Sequence, residues 1–176
     1  GELLKTVIVA SANDSAVAIA EHLAGAEEAF VKLMNARADE LGLQNTHYVN
    51  CTGLPAPDHY TTARDVAKLS AQLDLHPLYY RYSTIWMDEI RHRGGRVTAL
   101  TNTNRLVRFY PGCDGYKTGS TNEARYCISA TAKKDGMRLI AVVLGTPAGQ
   151  TRFDEARAML EYGFANVKLA TPIAQG

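Results

Sequence analysis

The sequence is short of most features that place a chain in a special class. Its 176 residues contain no internal repeat, no low-complexity tract and no linker. Lys and Arg number 19 against 18 Asp and Glu, and the net charge of +1 provides no global field for nucleic acid or anionic lipid. No apolar run reaches the eighteen residues of a membrane-spanning helix, so none is expected, and the chain shows no export signal of its own. Cysteine is scarce. Cys51, Cys113 and Cys127 cannot all pair within one chain, and no Cys-x-x-Cys or His-Glu-x-x-His spacing points to a metal. The histidines at 22, 47, 59, 76 and 92 have no ligand spacing either, and His59 reads as a loop-packing residue. Neither a metal nor an organic cofactor is expected. What remains is 46% hydrophobic and 21% charged, enough for one sizeable core and too apolar for a disordered chain.

Helical patterns come first along the chain. Residues 2–10 read as the end of a helix that delivers Ser11, and 14–23 as an alanine-rich helix closed near Gly25. Residues 27–41 form the clearest amphipathic helix, with Phe30, Leu33, Met34, Ala38 and Leu41 recurring at three and four and Gly42 placed for a left-handed cap. Residues 45–60, with Gly53, Pro55 and Pro57, read as a long loop. Thr62 starts another helix with Asp65 as a capping-box partner, and Val66, Leu69 and Leu73 form its apolar stripe.

Strand patterns follow His76-Pro77. Residues 84–91 and 96–101 flank Gly94-Gly95 as a hairpin, and 112–120, 125–133 and 137–144 read as three strands, the last two joined at Asp135-Gly136. Cys113 and Cys127 then lie on neighbouring strands, where a bridge is geometrically possible, although free cysteines are also common small core residues. Residues 151–164 close the chain as a helix. The order predicts an α+β fold, an antiparallel sheet with flanking helices plus a helical lobe. The lobes divide into about 1–82 and about 83–168, with a cleft between them. Trp86 with Tyr79, Tyr80 and Tyr82 could line a sugar surface, but core and lobe-interface packing is the more economical role.

Chemistry concentrates in two short stretches. Lys117-Thr118-Gly119, followed by Ser120-Thr121, stands with Ser11-Ala12-Asn13 upstream, and these are two of the three motifs of the penicillin-recognising serine enzymes. The third, Ser-x-x-Lys, is missing: none of the serines at 11, 15, 70, 83, 120 and 129 has a lysine three residues on. Alone, the triplet is modest, arising by chance in roughly one chain in twenty-five. Ser-x-Asn is weaker still and recurs at Ser120-Thr121-Asn122. Ser11 and Asn13 are also good N-cap residues for the helix they precede, Lys117 could be a solvated surface lysine, and Arg152 a helix-surface arginine.

Context decides among these readings. The chain resembles the serine-type D-alanyl-D-alanine carboxypeptidases, the low-molecular-mass penicillin-binding proteins. The resemblance runs through Ser11-Ala12-Asn13-Asp14, Ala29-Phe30-Val31-Lys32-Leu33-Met34-Asn35, Leu41-Gly42-Leu43-Gln44-Asn45-Thr46-His47, His59-Tyr60-Thr61-Thr62-Ala63-Arg64-Asp65 and Gly115-Tyr116-Lys117-Thr118-Gly119. It implies a β-lactamase/transpeptidase-like domain whose N-terminal portion, with the first strands and the Ser-x-x-Lys helix, is not in this sequence. It also implies roles. Ser11 relays a proton to the departing D-alanine, Asn13 holds a substrate carbonyl, and Lys117, Thr118, Thr121 and Arg152 serve the terminal carboxylate. Gly119 admits the ligand backbone, and Ser120 gives one of two oxyanion N–H groups. The Arg152 match is the loosest, because residues 145–150 depart from the family pattern.

The implied activity is removal of the terminal D-alanine from peptidoglycan stem peptides, in the bacterial cell envelope outside the cytoplasm, with acylation by β-lactam antibiotics. This chain alone is expected to be inactive, and to seek as partner the missing N-terminal segment or a second copy of itself. A nucleophile-less module that binds peptidoglycan stems or a partner protein is the alternative of a different class. A β-lactamase is a weaker one, since the blocks at 29–35 and 60–65 match it poorly.

Overall fold

The computed structural model describes residues 1–170. Its elements, in chain order, are α1 (Glu2–Ala10), α2 (Asn13–Ala24), α3 (Glu27–Glu40), α4 (Ala63–Leu73), a 3₁₀ turn (Pro77–Tyr79) and α5 (Tyr80–Ser83). Next come β1 (Met87–Arg91), β2 (Val97–Thr101), α6 (Leu106–Phe109), β3 (Cys113–Thr121), β4 (Arg125–Lys134), β5 (Met137–Thr146) and α7 (Thr151–Asn166). The α+β order holds. β3, β4 and β5 form one antiparallel sheet in that order, and β1 pairs with β2 in a second.

The main core is small residues on a central strand under a helix with a three-to-four period. Ile128, Ala130 and Ala132 of β4 face Phe153, Ala156 and Leu160 of α7, with Ala141 and Val143 of β5 and Leu106 and Tyr110 beside them. Alanines on the middle strand let α7 sit close to the sheet. Asp135 and Gly136 take φ of 48° and 80° between β4 and β5, the double positive φ of a two-residue hairpin turn.

The smaller hairpin anchors the first helix. Ile90 and Leu100 bury their side chains against Val9 of α1, and Lys5 of α1 pairs with Asp88 of β1 at 2.7 Å. The end of α1, and with it Ser11, is thereby held to the β side of the molecule.

Two expectations change. The α3 stripe is only partly buried: Ala38 and Val31 are covered, but Leu33 is 57% exposed, Phe30 and Met34 are half-buried along an open apolar groove, and Leu41 is half-buried at a neighbouring cavity. Asp65 makes half a capping box. Its N–H donates to the Thr62 hydroxyl, while its buried carboxylate turns away to accept from the Asn45 N–H and the Thr46 hydroxyl, tying the long loop to α4. All three cysteines are free, in keeping with the reading of them as small packing residues rather than a bridge. Cys113 faces Ala132 and Cys127 faces Gly119, near opposite ends of the β3–β4 ladder, so no bridge can span them.

Tyr79 and Tyr80 pack inward, whereas Trp86 lies against Phe109, a ring 60% exposed. Trp86 meets Phe109 edge-on at 5.6 Å, and Tyr79 and Tyr80 gather on Tyr116. His59 accepts from the Val49 N–H and abuts Tyr48, a loop-packing role.

Candidate active site

Ser11 ends α1 in the left-handed region, φ 58° and ψ 40°. A non-glycine residue there is uncommon and is retained where surrounding structure over-determines it. The turn is fixed on both sides, by a 2.8 Å hydrogen bond between the Thr6 and Ser15 hydroxyls and by the Ala12 N–H donating to the Thr6 carbonyl. Neither Ser11 nor Asn13 caps α2. The N-cap is Ala12, without a side-chain bond, and Asn13 is the first helical residue. The capping alternative therefore fails, and both side chains border a cavity of ≈ 270 Å³ shared with Lys117, Asn50 and His59.

Lys117 comes from the other half of the chain. β3 is an edge strand among the described residues, so one row of its backbone groups is open to a ligand. From it the Lys117 Nζ donates to the Ser11 hydroxyl at 2.7 Å and to the Thr118 carbonyl at 2.6 Å. Burial, with Arg152 adding like charge, pulls its pKa down from 10.5 to about 8. Such an ammonium stays largely protonated at neutral pH but gives up its proton more readily than an exposed lysine.

The rest of the motif follows along β3. The Thr118 hydroxyl donates to the Thr103 hydroxyl at 2.7 Å, and the Thr103 N–H donates to the Val9 carbonyl at 3.0 Å. Thr103 thus stitches the end of α1 to the lysine strand. No spacing in the sequence marks it. A Cβ added at Gly119 would meet nothing within 4 Å, so nothing within the chain calls for glycine there, and the open space lies on the ligand side. Ser120 is exposed, and the Thr121 hydroxyl accepts from the Ala124 N–H, holding the β3–β4 turn.

Arg152, the second residue of α7, reaches across the ladder. Its Nη1 donates to the Gly119 carbonyl at 2.9 Å and to the Cys127 carbonyl at 3.3 Å, and its guanidinium lies 5.5 Å from the Tyr126 ring. Its Nε is buried without a partner, and burial lowers its pKa. An apolar cavity of ≈ 550 Å³ opens on one side of Lys117, between Val66, Leu69 and Leu73 of α4 and the sheet. A larger one, ≈ 850 Å³, runs past Gly119, Ser120 and Thr121 beneath the loop at Pro55 and Tyr60. Among the described residues, no cluster of His, Cys, Asp and Glu could hold a metal, and no helix is long and apolar enough to cross a membrane. The arrangement can hold an anionic peptide end against a strand edge and move a proton between an amine and a hydroxyl.

A family model described as D-alanyl-D-alanine carboxypeptidase matches residues 1–148. The chain is 44% identical over 164 residues to the D-alanyl-D-alanine carboxypeptidase DacF of Bacillus subtilis, covering 93% of the chain and 42% of that protein. Among solved structures it is similar to the D-alanyl-D-alanine carboxypeptidase DacD of Francisella tularensis, with a TM-score of 0.89, 29% identity, and coverage of 93% of this chain and 51% of that one. It is also similar to a penicillin-binding protein of Listeria monocytogenes in its cefotaxime-bound form, with a TM-score of 0.82, 32% identity, and coverage of 93% and 65%. The chain spans about two fifths of the length of the curated relatives it matches, 42% for DacF.

Proposed function

Because the chain belongs to the D-alanyl-D-alanine carboxypeptidase family, we propose that it forms the substrate-holding half of a serine acyl-transfer site that removes the terminal D-alanine of peptidoglycan stem peptides. The observation that carries this reading is the 2.7 Å bond from the Lys117 Nζ to the Ser11 hydroxyl, made between residues 106 positions apart. The nucleophile and its base come from a Ser-x-x-Lys segment outside these 176 residues. That serine attacks the penultimate D-alanine carbonyl, and its proton passes by way of Ser11 to the departing amine. The oxyanion accepts from the Ser120 N–H and from the nucleophile's own N–H. Asn13 holds the substrate's backbone carbonyl, while Lys117, Arg152 and the hydroxyls of Thr118 and Thr121 serve the terminal carboxylate. Water then releases the acyl group. A β-lactam enters by the same first step and stays longer, and the setting is the bacterial envelope outside the cytoplasm.

The helical lobe, about 1–82, and the sheet lobe, about 83–168, are the walls of this cleft. The partner is the N-terminal segment, whose Ser-x-x-Lys helix fills the groove along Phe30, Leu33 and Met34 and the cavity beside Lys117, and whose strands pair with the open edge of β5. A second copy of the chain is the competing occupant of those surfaces, and concentration-dependent dimerisation reveals it.

Intact mass after incubation with a labelled penicillin tests the reading. The chain alone is expected to gain no adduct, and the longer polypeptide that includes the Ser-x-x-Lys segment one equivalent. If neither gains an adduct, the site is a binding module and the enzyme reading is withdrawn. Rapid hydrolysis of a chromogenic cephalosporin by the longer form points instead to a β-lactamase.

The lowered pKa of Lys117 adds a pH prediction. A protonated Lys117 attracts the substrate carboxylate and is lost as pH rises through about 8 rather than 10.5. Acylation should fall about tenfold for each pH unit above that midpoint. A rate flat to pH 10 removes Lys117 from the carboxylate site.

A further inference from the structure

A polar cluster at the start of β3 has no part in the chemistry above. Asp74, just past α4, accepts hydrogen bonds at one carboxylate oxygen from the hydroxyls of both Tyr80 and Tyr116, which lie 3.2 Å from each other. Arg138 of β5 forks onto Asp114 of β3 with two bonds of 2.8 Å, brings its Nε to 3.6 Å from Asp74, and lays its guanidinium 4.5 Å from the Tyr80 ring centre. The Ser83 hydroxyl of α5 donates to the Asp114 carbonyl, and the Tyr79 ring packs on Tyr116 at 5.6 Å.

These contacts meet at one junction. The Arg138–Asp114 fork joins β5 to β3, and the other contacts tie the stretch from the end of α4 through α5 to residues 114–116 or to Arg138. Tyr116 is buried and immediately precedes Lys117. The same end of α4 walls the cavity beside Lys117, through Leu69, Leu73 and His76. A carboxylate accepting two phenol hydrogens with a guanidinium alongside is a well-satisfied group in a half-buried place, and removing it strands the phenols.

We propose that Asp74 is a positioning residue for Lys117: it latches the end of α4 onto β3 through Tyr80 and Tyr116, and so sets the width of the cleft and the burial of the lysine. The proposal rests on the reading of Lys117 as the cation of the cleft. Burial and the Asp74 carboxylate raise the Tyr80 pKa to about 12, and the Tyr116 hydroxyl also moves upward, so both phenols stay protonated donors throughout a titration of Lys117. The other charged or titratable groups around Lys117 are Arg152 of α7, Arg37 of α3, His76, Tyr116 of β3, Cys127 of β4, and Tyr48, Cys51 and His59 of the loop. Those facing Asp74 are Tyr80, Tyr116 and Arg138, with Asp114 behind.

Titrating the Lys117 side chain by NMR in the 176-residue chain tests the latch without any turnover. In Asp74→Ala the end of α4 loosens, water reaches the lysine, and its midpoint should rise by about 0.5 to 1 pH toward the ordinary value. Deleting a negative charge through space would lower the midpoint, so the sign separates positioning from simple electrostatics. Asp74→Asn, whose amide oxygen still accepts both phenol hydrogens, should keep the wild-type midpoint, and Asp39→Ala on α3 should also keep it. Tyr116→Phe, which removes one latch bond and no charge, should raise the midpoint by less and serves where Asp74→Ala fails to fold. An unchanged or lowered midpoint in a folded Asp74→Ala, or in Tyr116→Phe, overturns the proposal. Penicillin labelling of the longer polypeptide carrying Asp74→Ala is a separate readout, expected to slow about tenfold. Absence of labelling in the unsubstituted longer form rejects the enzyme reading and leaves the latch to stand or fall on the titration.

Discussion

In the longer polypeptide that carries the Ser-x-x-Lys segment, Lys117→Ala is expected to cut the rate of acylation by penicillin about 10²- to 10³-fold, the scale of losing one aimed charge or oxyanion donor. Two functions disappear together. The ammonium that draws in the carboxylate is gone, and the Ser11 hydroxyl loses the donor that orients it at 2.7 Å. Adduct formation followed by mass against time measures the loss, and a drop below about tenfold would make Lys117 a bystander.

The stability of the same variant separates a site defect from a folding defect. In the fold the Lys117 pKa is lowered from 10.5 to about 8, chiefly by burial. Between those values the unfolded chain binds more protons than the folded one, so stability rises with pH across that window. Below about pH 8 the fold bears the whole cost of a buried ammonium. Lys117→Ala removes that cost, so at neutral pH the variant should unfold no earlier than the parent. Such a cost fits a residue kept for the chemistry of the cleft rather than for the fold.

The parts of the architecture legible in the sequence were those set by local chemistry. Asp135-Gly136 and Gly94-Gly95 marked hairpins because few other residues tolerate their φ, and both turns are present. Thr62 marked a helix start because its hydroxyl satisfies an orphan N–H. Contacts made across the chain left no local mark. Asp74 meets Tyr116 42 residues later, and Thr103 joins Val9 to Thr118 through a backbone bond and a hydroxyl pair. The left-handed turn at Ser11 was equally hidden, since serine is an ordinary N-cap, and only packing reveals that Ala12 holds that position. The α3 stripe failed for another reason. Periodicity states which face seeks cover, and cover needs a neighbour.

That failure leads to the second large effect, on stability. Ile128 is fully buried on the central strand, opposite Thr118 of β3 and Val143 of β5, and within the cluster capped by Phe153 and Leu160. Ile128→Ala should cost about 3 to 4 kcal/mol, the removed side chain plus the cavity it leaves. Against a domain stability of about 5–15 kcal/mol that is a large fraction. Urea unfolding reads it as a lower midpoint with an unchanged slope. Leu33→Ala, at a side chain 57% exposed, should cost only about 0.5 kcal/mol in the same chain. In the longer polypeptide the two should diverge in sensitivity. Ile128 already has its neighbours, so its cost stays, whereas Leu33 gains cover from the docked Ser-x-x-Lys helix, and its cost should rise to about 2 kcal/mol. An unchanged Leu33 cost would mean that the added segment covers some other face, and that the nucleophile does not reach Lys117 from the groove along α3.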